Sequence, residues 1–248
     1  MRNIKNLFAA AMALVSMSST AVVFQPGTPV SEDAPIRVST GVGTTLVKTK
    51  ALGVDNIGVG LGLTHNVGYD FEYGLALGAG YAKPMSGRLF TDDLDKSQGV
   101  GMNVEAMFRF LPEVAEGLRL GGRVNIGWDG HFGGKDNADY KKASEAVKFG
   151  DLNVRVGVAM NWSMSDMASL YISPAVAFNN IRMLDDAKAT DALKKGTNVI
   201  GAEAAVGGMF AASENLGVYV ETTPKFVNFK DNGFGFREDF VAGVTFAM

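Results

Sequence analysis

Residues 240–248 alternate without a break. Phe240, Ala242, Val244, Phe246 and Met248 fall on one side, and Val241, Gly243, Thr245 and Ala247 on the other. Successive side chains of a β-strand point to opposite faces, so this segment reads as a strand with one wholly apolar face. The same pattern recurs along nearly the whole chain in stretches of about ten residues, the length of a tilted strand that crosses a bilayer. A last strand of this kind has to seal against the first, which predicts a closed barrel.

The first residues stand apart from that pattern. Arg2 and Lys5 give a positive start, residues 7–15 a core of nine apolar residues, and Ser19, Thr20 and Ala21 a small-residue cleavage site. Nine residues are too few to span a bilayer, so residues 1–21 read as a cleaved export signal rather than an anchor. Cysteine is absent. That excludes lipid attachment to a cysteine after the leader, and it leaves no disulfide framework for an exported protein. Beyond residue 21 the chain holds 21 Lys+Arg against 26 Asp+Glu, a net −5, because the leader removes two positive charges and no negative ones. A nucleic-acid partner, which requires a basic face, is not expected. Mean hydropathy is only +0.10, and no run of 18 apolar residues occurs, so crossing by helices is excluded.

Residues 22–35 contain Pro26, Pro29 and Pro35 with Glu32 and Asp33, and read as a flexible periplasmic lead-in. Residues 36–248 follow as the barrel. Ten strands are predicted: 36–47, 56–65, 70–83, 99–110, 118–129, 151–163, 169–179, 197–211, 216–229 and 236–248. Eight and twelve are the neighbouring counts if two segments are misjudged. In the third strand Phe71, Tyr73, Leu75, Leu77, Ala79 and Tyr81 share the outer face, with Glu72, Gly74, Ala76, Gly78, Gly80 and Ala82 inside. In the sixth, Leu152, Val154, Val156, Val158, Met160 and Trp162 oppose Asn153, Arg155, Gly157, Ala159 and Asn161.

A soluble sandwich also alternates, but it does not sort its connections by side. Here residues 66–69, 111–117, 164–168 and 212–215 make short turns, whereas 84–98, 130–150 and 180–196 make long charged loops. Outward aromatics fall at two levels. Phe71, Tyr73, Phe108, Phe110, Trp162, Phe210 and Phe246 lie near the short turns, and Tyr81, Trp128, Phe178, Phe226 and Phe240 near the long loops. Two such belts belong at the two lipid interfaces. Pro174 and Pro224 interrupt the seventh and ninth strands, where bulges or shorter strands are expected to absorb the missing donors.

The leader, alternating strands, asymmetric connections and apolar last strand resemble the small monomeric outer-membrane β-barrel proteins of Gram-negative-type bacteria. Members of that class usually end in Phe; here Phe246 lies two residues before Met248. The resemblance implies an all-β, up-and-down transmembrane barrel in the outer membrane, surrounded by outer-membrane lipid, with long loops outside and monomeric behaviour.

Inward positions carry the chemistry. The first three strands present Gly41, Gly43, Gly58, Gly60, Gly62, Gly74, Gly78 and Gly80. Later strands present Glu105, Arg109, Arg119, Arg123, Asp129, Arg155, Glu203, Glu221 and Lys225. Folding back around residues 112–117 is expected to bring Glu105 near Arg123, and the turn at 212–215 to bring Glu203 near Lys225. Ten strands enclose little more than the eight whose interior side chains just fill. Charges that reach across and pair therefore predict a plug, and charges left facing water predict a narrow selective pore. The plug is the leading reading and a porin-like channel for ions or small polar solutes the alternative.

Two long loops carry helix signals, with Asp136 or Asn137 before residues 138–148, and Asp185 and Asp186 before residues 187–195. Loops on a rigid barrel are where an extracellular ligand or surface would be recognised. Asp129 and His131 at the top of the fifth strand, with Asp93 and Asp95 in the preceding loop, resemble the Asp–His and acidic pairs of the omptin proteases. These pairs lie in consecutive loops, however, whereas that chemistry needs them facing across a cleft. With no cysteine, and with His65 near a short turn, neither a metal cluster nor a nucleophilic triad is expected, and no cofactor motif stands on a strand-to-helix turn. The sequence therefore predicts a non-enzymatic barrel.

Overall fold

A computed structural model describes residues 28–48, 53–86, 99–133, 148–183, 197–229 and 233–248. The strands are β1 (Ile36–Lys48), β2 (Gly53–Gly68), β3 (Phe71–Ser86), β4 (Gly99–Phe110), β5 (Glu113–Ala115), β6 (Leu118–Gly133), β7 (Lys148–Ser165), β8 (Ala168–Met183), β9 (Thr197–Ala211), β10 (Leu216–Phe229) and β11 (Gly233–Ala247). Each long strand pairs antiparallel with its neighbours in sequence, β4 pairs with β6 past the three-residue β5, and β1 pairs with β11. The ten long strands thus close into one barrel. The N-terminal and C-terminal ends of that barrel meet at Ile36 and Met248, whose backbones exchange hydrogen bonds of 3.0 and 2.8 Å. Closure of this kind gives every long strand a partner on both sides, as a hydrocarbon environment requires.

The strands are where alternation predicts them but run longer at the long-loop end. β2 starts at Gly53, β3 continues to Ser86, β6 to Gly133, and β7 begins at Lys148. Backbone pairing extends a hairpin regardless of side-chain polarity, so the ladders outrun the apolar stretch. The predicted loop helices lie outside the described residues, except that Lys148 opens β7. Asp93 and Asp95, the leader and residues 22–27 also lie outside them. At the short-turn end β2 continues to Gly68, so the turn is made by Tyr69 and Asp70, both at positive φ (54° and 60°). Two central residues at positive φ suit the twist of a tight hairpin, and Asp adopts that conformation readily.

The outer wall is apolar. Leu77 is 57% exposed and Val156 49%, with Val59, Leu61, Met102, Val104, Ile126, Val176, Ile200 and Val220 similarly open around the barrel. An apolar surface this extensive suits lipid and not water. The two aromatic levels are present as expected. Phe71 stacks on Phe110 at a centroid distance of 4.6 Å near the short turns, and Phe226 lies 5.3 Å from Phe236 near the long loops.

Inside, small residues receive large ones. The Tyr219 ring, 1% exposed, lies against Gly243 directly opposite on β11 and against Gly41 on β1. A Cβ at Gly243 would sit 2.2 Å from the Thr40 carbonyl oxygen and 2.6 Å from the Tyr219 ring. Part of the glycine wall is therefore a seat for an aromatic side chain. The prolines are absorbed differently from expectation, because β8 and β10 run through them without a register shift at either proline; the shift on the β7–β8 ladder lies at its turn end, between Ser163 and Ser165. Pairing lapses locally, and Ser173 Oγ donates to the Val158 carbonyl at 2.8 Å, supplying a donor beside the one that Pro174 lacks.

Arginine at Leu77 or Val156 is expected to cost about 2–4 kcal/mol if each lies near the bilayer midplane, read by urea unfolding in lipid vesicles. Full tolerance at both positions would contradict a lipid-facing wall. Gly243→Ala is expected to lower stability by about 1–3 kcal/mol through overpacking. Gly122→Ala should be close to neutral in the same assay, since its Cβ would meet nothing nearer than 3.8 Å.

Candidate functional site: the lumen and its mouth

Period-2 geometry turns one set of side chains from every strand into the lumen, and many of these carry charge. Glu105, Arg109, Arg123, Glu203, Glu221 and Lys225 are all less than 9% exposed, and the Arg155 side chain is 12% exposed. They form a connected system. Arg155 on β7 reaches Glu105 on β4 at 2.6 Å and Glu203 on β9 at 3.9 Å. Arg123 on β6 reaches the same Glu203 oxygen at 3.2 Å and donates to the Ser173 carbonyl at 3.1 Å. Lys225 on β10 lies 3.6 Å from the other Glu203 oxygen. Asn125 donates to Glu105 at 2.5 Å. The network therefore crosses the interior from β4 to β10 with two carboxylates serving three cations. Each charged member has an ion-pair partner, which is how buried charge is tolerated, while Arg123 Nε and Asn125 Oδ1 are buried without a hydrogen bond.

Toward the long-loop end a second layer is held by amides. Asn153 donates to Asp129 at 2.9 Å, Arg155 donates to Asn153 Oδ1, and Asn179 donates to Asp151 at 2.7 Å. Asp239 on β11 accepts from Thr45 at 2.5 Å and from Arg237 at 2.8 Å. On the short-turn side of the central network, Glu221 accepts from the Tyr171 hydroxyl at 2.7 Å and from Thr223 at 3.3 Å.

Toward the short turns a third layer involves the N-terminal segment. Arg109 pairs with Glu72 through two hydrogen bonds to one carboxylate oxygen. The other Glu72 oxygen accepts the Val30 amide at 2.6 Å. Thr28 and Val30 are 1% and 3% exposed. Residues 28–30 therefore sit within the mouth of the barrel, so this part of the lead-in is held in place and not loose as its prolines suggested. The physical reason is that Arg37, Arg109 and Glu72 need partners in the mouth, and the returning main chain supplies them.

Sequence reasoning placed Glu203 beside Lys225, and these residues are direct cross-strand partners. It placed Glu105 beside Arg123, and this is corrected. Glu105 lies opposite Gly127 and Arg123 opposite Arg109, because β5 and its turn lengthen the connection and shift the register by whole two-residue steps. Parity survives the shift, so each residue keeps its face and changes its partner. Arg119 is also corrected. It stands at the rim with 31% of its side chain exposed, bound to Asp70 at 2.8 Å and near Glu113 at 3.6 Å, apart from the central network. Sequence reasoning omitted Arg37, Asn125, Arg237 and Asp239, which the strand parity already turned inward. Asp129 is engaged by Asn153, and among the described residues no group of His, Cys, Asp and Glu could hold a metal ion.

Among solved structures, the chain is similar to the β domain of the Bordetella autotransporter BrkA, with a TM-score of 0.52 and 8% identity over 86% of this chain and 100% of that one. It is similar to the translocator domain of the autotransporter NalP from Neisseria meningitidis, with a TM-score of 0.51 and 8% identity over 86% of this chain and 88% of that one. The outer-membrane protease OmpT from Escherichia coli matches with a TM-score of 0.45 and 11% identity over 92% and 99%. No protein-family model matches the chain, and no curated protein matches its sequence. At these identities the likeness is one of fold. The chain is an all-β, ten-stranded antiparallel barrel of the bacterial outer-membrane type.

Glu203→Ala leaves Arg123, Arg155 and Lys225 without their shared carboxylate and is expected to cost about 3–5 kcal/mol in urea unfolding. Arg119→Ala at the solvated rim should change stability by about 1 kcal/mol or less. Equal effects of the two substitutions would mean that the central network is not the one that holds the lumen together.

Proposed function

We propose that this protein is a non-enzymatic, integral outer-membrane barrel, exported behind a cleaved leader, whose lumen is largely plugged. It acts as a monomeric scaffold that stabilises the envelope and presents its long loops outside to a ligand or surface. The observation that carries this reading is the ion-pair network from β4 to β10, with residues 28–30 seated in the mouth beneath it. Supporting it, bonded side chains reach across the interior in layers, with main chain of residues 28–30 in the layer at the mouth. The interior of a ten-stranded barrel is narrow enough for long side chains to bridge it. Lumen acids are engaged by arginines, amides and hydroxyls, an arrangement that suits a fixed interior better than a reacting one.

The test is conductance of the refolded protein in a planar lipid bilayer. An inserted barrel that stays electrically silent is expected. Discrete ion-selective steps would overturn the plug and promote the small-channel reading, in which Arg109, Arg123 and Arg155 would set selectivity.

A further inference from the structure

The mouth of the barrel grips main chain. Arg37 Nη1 donates to the Thr28 carbonyl at 2.7 Å, and Arg109 Nη2 donates to the same oxygen at 2.9 Å. Arg37 Nη2 donates to the Pro29 carbonyl at 2.6 Å. The Val30 amide donates to Glu72 at 2.6 Å, and Asn66 Nδ2 donates to the Val30 carbonyl at 2.8 Å. Side-chain polar contacts are few by comparison: the Thr28 hydroxyl accepts from Arg37 at 2.9 Å and lies 3.4 Å from the Met209 sulfur.

Glu72, Arg109 and Asn66 are also held by the barrel itself. Glu72 is oriented by Arg109, and Asn66 Oδ1 accepts the Gly68 amide at 2.7 Å, which turns its NH2 toward Val30. All four residues are buried, and among the described residues Arg37 has no carboxylate partner. Two guanidiniums against one carboxylate leave a positive excess, and the peptide carbonyls answer it.

We propose that Arg37, Asn66, Glu72 and Arg109 form a binding site for polypeptide main chain. Residues 28–30 are its tethered occupant, and a segment from another polypeptide on the short-turn side takes the same place when they leave. Recognition through carbonyls and one amide makes the site tolerant of side chains. Only the positions of Thr28 and Val30, which are enclosed, select for small or β-branched residues. The tether from Val30 to β1 is short, so the resident segment competes at an effective concentration of about millimolar.

The test uses two variants of the full chain. In the first, Thr28 and Val30 both become Trp, too large for these enclosed positions, so that the resident segment is displaced, and a heat-stable folded band confirms assembly. A fluorescent peptide with the sequence of residues 28–35 is then titrated by anisotropy. Saturable binding to this variant, at least about tenfold tighter than to the unaltered chain, is expected. Binding should persist when Ser31, Glu32 and Asp33 of the peptide become alanine. It should weaken about tenfold or more when the Val30 amide is N-methylated, because that bond to a carboxylate is lost. No binding to the variant, or equal binding of the N-methylated peptide, would overturn the site.

In the second variant, Val30→Cys provides a lone thiol in a chain without cysteine. It should resist a membrane-impermeant maleimide, and adding Arg37→Gln should accelerate labelling about tenfold. Rapid labelling of Val30→Cys alone would show that the segment is not seated. Neither readout depends on the plug reading. A barrel that conducts but binds the peptide refutes only the plug, and a silent barrel that does not bind refutes only the site.

Discussion

In hydrocarbon an unpaired peptide group costs several kcal/mol, so among the described residues no long strand is left with an open edge. That requirement is met by pairing β1 with β11 in continuous register from Arg37 with Ala247 to Lys48 with Phe236. Much of the remaining structure depends on this seam. Once the ends are joined, every residue is committed to the lipid or to the lumen, and a one-residue slip anywhere would exchange the two faces. Valine, leucine and aromatic side chains on the outside make such a slip costly, and the buried charges on the inside make it costlier.

Closure also creates the problem that the lumen solves. Charged residues from eight of the ten long strands are enclosed in a narrow space, where each needs a partner. Glu203 is shared by three cations arriving from β6, β7 and β10, and Glu105 is shared by Arg155 and Asn125. Tyr219 fills space that a side chain at Gly243 would otherwise occupy. At the mouth the wall recruits main chain from residues 28–30. Paired charges inside and an apolar wall outside are thus two consequences of one closed sheet.

The fold was legible because the two signals that specify it are local. Alternation places the ten long strands, and the unequal connections sort their ends, without knowledge of which residues meet. β5 escaped because three exposed residues carry no apolar pattern. The prolines misled because a ladder can lapse for two residues while its register persists, as it does around Pro174. Within the site, parity gave the correct face for Glu105, Arg123 and Arg155 but not their partners. Arg123 pairs with a residue 80 positions away on a strand that is not its neighbour. No spacing rule along the chain encodes such a contact.

The amino-acid order by itself determined that this chain crosses a membrane as a β-barrel, which side chains face lipid, and which end carries the short turns. Those properties follow from a two-residue period and from connection length, both of which act between near neighbours. Only the tertiary structure decided how the charges divide into a central network and a separate rim at Arg119, and that residues 28–30 occupy the mouth. Partners across a lumen are set by register, curvature and reach, which come into being only when the sheet closes.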